Sequence, residues 1–204
     1  MIEFAKEYAQ LIEIIAVVCG LAFVILIIYE KPIGWAFGIV QSALSVLLFY
    51  SGGLISESYV YLVYAILGVW GWATWGQRPK DQPLVVTNWK LPTWGIALGL
   101  GVVLSLALGW LQHNFNELAQ RPYIDAFTSV FALIATVLEI RKKLPAWVLW
   151  IAVNAASIPL YWDREFMLYS LLMVVYFALS ISGYLRWRKV YRKSLETAAT
   201  PVAE

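Results

Sequence analysis

Leu11 to Tyr29 reads LIEIIAVVCGLAFVILIIY, and its only charged side chain is Glu13. The run is close to the ~20 residues that carry an α-helix across a ~30 Å hydrocarbon layer. Glu3 and Glu7 precede it, where a secretory signal needs a basic segment. The run therefore reads as a membrane span. Outward from it, similar runs recur, and spans are predicted at 11–29, 33–51, 54–75, 94–111, 123–140, 145–162 and 166–186. Breakers separate them: Lys31-Pro32, Gly52-Gly53, Arg78-Pro79, Pro83, Pro92, Arg121-Pro122 and Pro145. The longest internal loop, 76–93, is polar and proline-rich, and residues 194–204 are predicted to form a disordered tail after a basic stretch.

Composition agrees. The chain is 61% hydrophobic and 14% charged, with a mean hydropathy of +0.70, whereas soluble domains are ~45–50% apolar and ~25% charged. This predicts an all-α integral membrane protein. A single cysteine, Cys19, excludes a disulfide within the chain. A single histidine, His113, placed in a loop, excludes histidine-rich metal and catalytic sites. The net charge of +2 is too small for a nucleic-acid binder. No phosphate-binding glycine loop is present, so ATP is not the power source. No cofactor or metal is expected.

Shifted by 112 residues, 11–75 lies over 123–187 with 17 identities in 65 positions, against roughly one in ten for a biased apolar composition. Among them Trp35 meets Trp147, Ser58 meets Ser170, Tyr64 meets Tyr176, Gly71 meets Gly183 and Trp75 meets Trp187. Glu13 falls on Asp125 and Ser42 on Asn154. The order is thus three helices (11–75), one linker helix (94–111) and three helices (123–187), in one transmembrane domain over 1–193. An odd linker leaves both triplets in the same orientation, as in transporters built from parallel repeats, and the ligand site is expected between them near mid-membrane. With seven spans, twelve of the lysines and arginines fall on one side and three on the other. Positive residues stay cytoplasmic, so the N-terminus is expected outside and the C-terminus inside.

The candidate binding surface is WVLWIAVN, Trp147 to Asn154. Trp147, Trp150 and Asn154 share one helical face. They would offer two π surfaces and one amide to a planar cationic molecule. Trp35 and Ser42 hold the matching places in the first triplet, with Gly38 standing where Trp150 does. Tyr61 and Tyr64, and Tyr176 after Ser170 and Met173, add polar aromatic faces, although helix packing could also use their hydroxyls. Asp125, like Glu13, sits in a first turn, either as a favourable charge at a helix N-terminus or at the outer mouth of a cavity. Glu57 could cap its helix or line that cavity. Glu139, one turn before Lys143, is expected to pair with it. Gly68, Gly71 and Gly183 are expected to allow close helix approach, and WGWATW, Trp70 to Trp75, to form an aromatic belt. An enzyme would cluster its titratable groups; here they are scattered, which favours a transporter over a membrane enzyme or a subunit of a complex. Helix centres lack acids, so no coupling ion is expected.

EIRKKLPA followed by WVLWIAVNAAS, the Asp125-Ala126 helix start, the GWATW end of the third helix and the closing GYLRWRK together resemble the PnuC family of vitamin transporters over about residues 11 to 190. That resemblance implies a fold like the SWEET sugar transporters and facilitated diffusion by alternating access. It implies nicotinamide riboside as substrate, with thiamine or riboflavin in close relatives. It implies trapping by a separate cytoplasmic kinase, homo-oligomers, and a bacterial inner membrane. By position the family's aromatic and asparagine motif falls on Trp147, Trp150 and Asn154. The third helix departs from it: ISESYVY has Tyr61 and Glu57 where riboside-type members carry glutamine and aspartate.

Overall fold

The computed structural model describes residues 7–51, 55–76, 85–115, 121–163 and 167–199. The seven predicted helices are present: α1 (Ala9–Ile28), α2 (Gly34–Ser51), α3 (Ile55–Gly76), α4 (Leu91–Phe115), α5 (Pro122–Ile140), α6 (Pro145–Asp163) and α7 (Met167–Ala199). By length and hydropathy, α1, α2, α4, α5 and α7 are able to cross a membrane. In α6, Asn154, Ser157, Pro159 and the tryptophans dilute the apolar residues, and in α3 the serines and tryptophans do the same.

Two compact units form, residues 1–84 and 85–204. In the first, α1 packs on α2 and α2 on α3; in the second, α4 packs on α5, α5 on α6 and α6 on α7.

Within each unit the same turn is built from different residues. In the first, Glu30 has φ 56°, its N–H bonds the Ile27 carbonyl, and the Lys31 N–H bonds that of Leu26, both at 2.9 Å. In the second, Lys142 has φ 47°, its N–H bonds the Glu139 carbonyl at 3.0 Å, and the Lys143 N–H bonds Leu138 at 2.8 Å. Both are Schellman ends, in which a left-handed residue returns two N–H groups to the last helical carbonyls. Glycine is the usual occupant of such a position, so Glu and Lys give no warning of it in sequence. Each turn then winds straight into the next helix, with the Trp35 N–H on the Pro32 carbonyl at 3.0 Å and the Trp147 N–H on Leu144 at 3.3 Å.

These turns place a tryptophan in the first turn of α2 and of α6. Trp35 is 1% exposed, and so is Trp147. Trp75 meets the Trp35 ring edge-on at 5.6 Å, and Trp187 meets the Trp147 ring edge-on at 5.3 Å. A Cβ on Gly71 would lie 2.4 Å from the Trp35 ring, and one on Gly183 2.4 Å from that of Trp147. Only glycine leaves room for the indole against the facing helix. A serine fastens each pair further along: Ser58 Oγ donates to the Val46 carbonyl at 3.2 Å, and Ser170 Oγ to that of Ile158 at 3.0 Å.

The second unit adds a close contact between α4 and α5. Gly101, Ser105 and Gly109 stand four apart on α4 and are buried; Phe131 and Tyr123 of α5 fill the space over the two glycines. Small residues at that spacing are a recurrent device for close helix packing in membranes.

Three expectations are corrected, and one backbone tether is added. α4 runs past 111, so His113 lies in its last turn rather than in a loop, with its ring 6.3 Å from that of Tyr123. α7 continues to Ala199, so residues 194–199 are helical rather than tail; a run without glycine or proline from Tyr184 to Thr200 lets the helix propagate. Part of the loop after α3 is held in place: the Thr87 N–H bonds the Lys142 carbonyl at 3.0 Å and the Leu144 N–H bonds the Thr87 carbonyl at 2.8 Å, with Val86 1% exposed. In the tryptophan-rich end of α3, Trp70 and Trp72 are exposed as a belt requires, but Trp75 is buried on Trp35.

Candidate functional site

α6 carries the three residues singled out from sequence, and the structure gives each a different place. Trp147 is enclosed by Gly183 and Trp187, and its indole nitrogen has no partner among the described residues. It packs α6 on α7, as Trp35 packs α2 on α3, and offers no open face. Trp150, one turn on, is half-buried. Its side chain donates a hydrogen bond to the carboxyl of Glu139 on α5. Asn154 is buried, and its Nδ2 donates to Ser180 Oγ at 3.0 Å, while that hydroxyl donates to the Tyr176 carbonyl at 2.8 Å. This chain fixes the amide plane, so Oδ1 points away from Ser180.

Within the second unit, then, Glu139, Trp150, Asn154, Ser180 and the backbone of Tyr176 form one polar line across α5, α6 and α7. Asp125 is not part of it. It is half-buried in the first turn of α5, fourteen residues before Glu139, which is about 21 Å along the helix. Arg121, whose carbonyl accepts from the Asp125 N–H at 3.0 Å, pairs through its guanidinium with Asp163 at the end of α6.

In the first unit, Tyr61 stacks on Phe49 with ring centroids 5.2 Å apart, and Tyr64 meets it at 5.9 Å. Ser42 is buried on α2. The Glu57 side chain lies outside the described residues.

Glu139 was expected to pair with Lys143. No ion pair joins them among the described residues, and Glu139 is 2% exposed. The reason is its phase: Ala132, Ala135, Thr136 and Glu139 form a buried stripe at helical spacing, which turns the carboxyl inward and away from the basic turn. That periodicity was available in the sequence; the nearby lysines masked it.

A family model described as nicotinamide mononucleotide transporter matches residues 10–189. The chain belongs to this family. Members are transporters and not enzymes, which agrees with a multi-pass helical membrane protein. Among curated relatives, the chain is similar to the nicotinamide riboside transporter PnuC of Neisseria mucosa, at 29% identity over 88% of this chain and 72% of the relative. PnuC of Escherichia coli is 22% identical over 86% and 84%. The riboflavin/roseoflavin transporter RibM of Streptomyces davaonensis is 24% identical over 72% of each. A solved structure titled as that of the vitamin B3 transporter PnuC shares the fold, with a TM-score of 0.73 at 23% identity over 93% of this chain and 87% of that one. In this chain, the line from Glu139 to Tyr176 is a buried polar feature of the second unit.

Proposed function

We propose that this transporter takes up nicotinamide riboside by facilitated diffusion. The observation that carries the reading is Trp150, a half-buried indole one turn before an oriented amide, Asn154. Nicotinamide riboside has a flat pyridinium ring for the indole face and a carboxamide and hydroxyls for the amide. Tyr176 of α7, and Tyr61 and Tyr64 of α3, are the further aromatic groups of the reading. The names of the PnuC relatives support the same substrate. The reading places the chain in a bacterial inner membrane, N-terminus outside and C-terminus in the cytoplasm, from the uneven split of lysines and arginines. It keeps the three-one-three helix order, homo-oligomers, no coupling ion, and trapping of the vitamin by a cytoplasmic kinase.

Purified protein in liposomes tests it. Uptake of labelled nicotinamide riboside should follow its own gradient and ignore an imposed proton or sodium gradient. Chemical conversion of the vitamin without transport would sink the reading, and gradient-driven accumulation would remove its facilitated-diffusion part.

A second reading, riboflavin or thiamine as substrate, has two observations behind it. One is the RibM relative. The other is Tyr61 stacked on Phe49, which puts an aromatic pair where riboside-type members carry a glutamine. Titration with the three vitamins separates the readings by rank of affinity.

A further inference from the structure

We propose that Glu139 is a positioning residue that orients and electronically tunes Trp150 for a positively charged ring. The proposal rests on the reading of Trp150 as the aromatic face of a vitamin site. Glu139 lies in the last turn of α5, buried, with Trp150 as hydrogen-bond partner and its second oxygen, Oε2, left without one. A buried carboxyl with no ion pair costs stability, and an apolar side chain of similar size is usually no worse for a fold.

The first unit demonstrates the alternative. Ile27 stands at the position of Glu139, fully buried, and Gly38 at that of Trp150, with the Phe23 ring 2.9 Å from where a glycine Cβ would be. The left-handed turn, the tryptophan against glycine and the serine cross-link all form there without a carboxyl. Helix packing in this architecture therefore does not call for the Glu139–Trp150 pair.

What the pair supplies is electrostatic. A carboxyl accepting from the indole N–H fixes the ring's rotation about its own bond. It also draws the N–H proton outward and leaves more electron density on the π face. The attraction between a cation and an indole comes from that density. In its ionised form the carboxyl also places a negative charge near the bound cation. Glu139 thus acts through Trp150 and is not required to touch the ligand.

The test compares two ligands of the same outline on purified protein in detergent. One is nicotinamide riboside, whose ring is cationic. The other is its dihydro form, whose ring is neutral. In Glu139→Gln, affinity for the cationic form should fall about tenfold, while that for the neutral form should change less than twofold. Glu139→Ile, the first unit's residue, should keep the wild-type melting temperature or exceed it, so a binding loss is not a folding loss. In protein with 15N-labelled tryptophan, the indole N–H signal absent from Trp150→Phe should move in Glu139→Gln without ligand. Equal losses for both ligands, an unchanged affinity for the cationic one, or an unmoved signal overturn the role of Glu139 while leaving Trp150 as the site. A wild-type protein that binds neither ligand overturns the site and this role with it.

Discussion

The turn between α1 and α2 and the turn between α5 and α6 are the same object made from different side chains. Both hold a non-glycine residue in the left-handed region, both deliver a buried tryptophan, and both seat it on a glycine two helices from the start of the triplet. Beyond that they part. Around the first, Ile27, Gly38, Ser42 and Gly68 are small or apolar; at the matching places around the second stand Glu139, Trp150, Asn154 and Ser180. The shared features are what folding needs, since they close the packing in both units. The unshared ones add polar groups in a medium where each is expensive, and function is the physical reason to look for there.

Substitutions can break that division. The largest effect is expected for Trp35→Ala and Trp147→Ala. Emptying a fully buried indole site costs about 3–5 kcal/mol, so both variants should melt far below wild type in detergent, by similar amounts. A stable Trp147→Ala that has lost only ligand binding would show that this indole faces the vitamin after all. Next comes Trp150→Ala. A desolvated cation–π contact is worth about 2 kcal/mol, which is roughly thirtyfold in affinity, so calorimetric titration should show a ten- to thirtyfold loss with little change in melting. Asn154→Leu should weaken binding less, leaving a ligand polar group unpaired at about 1–3 kcal/mol; its counterpart Ser42→Ala should leave binding unchanged. Losses of equal size from the two would erase the asymmetry. The smallest effect is expected for Lys142→Gly and Glu30→Gly. Relief of the left-handed strain, about 1–2 kcal/mol, is offset by the flexibility glycine adds to the unfolded chain, about 0.5–1 kcal/mol. Melting should rise slightly or stay level, and a clear drop would mean that the side chains themselves hold the turns.

Much of the fold was legible because its signals are periodic and long. Runs such as Leu11 to Tyr29 announce spans, and the 112-residue shift aligns Trp35 with Trp147 and Gly71 with Gly183. What those matched residues do was not legible. An enclosed tryptophan and a half-buried one look alike in sequence, and Trp147 and Trp150 differ only by which neighbour lies opposite: a glycine with a second indole for one, a carboxyl for the other. Asn154 was found, but its partner Ser180 was not, because that pairing spans two helices and depends on their rotation. Glu139 was misassigned through sequence proximity to Lys143. The Thr87 tether escaped because backbone hydrogen bonds across loops leave no side-chain signature.

α7 is 33 residues long, about 50 Å of helix, so it outreaches a ~30 Å hydrocarbon layer by several turns. From Trp187, where it is clamped on Trp147, about 18 Å of rod extends to Ala199. That geometry is a lever with its fulcrum at the tryptophan pair. Ser180, which holds Asn154, lies about 10 Å from that pair along the helix, and Thr197 lies exposed about 15 Å from it on the other side. A small tilt of the helix at Ser180 is thereby magnified at its far tip. Because Cys19 is the single cysteine, a spin label placed through Thr197→Cys in a Cys19→Ser background would read that swing directly, as a change in distance during the transport cycle.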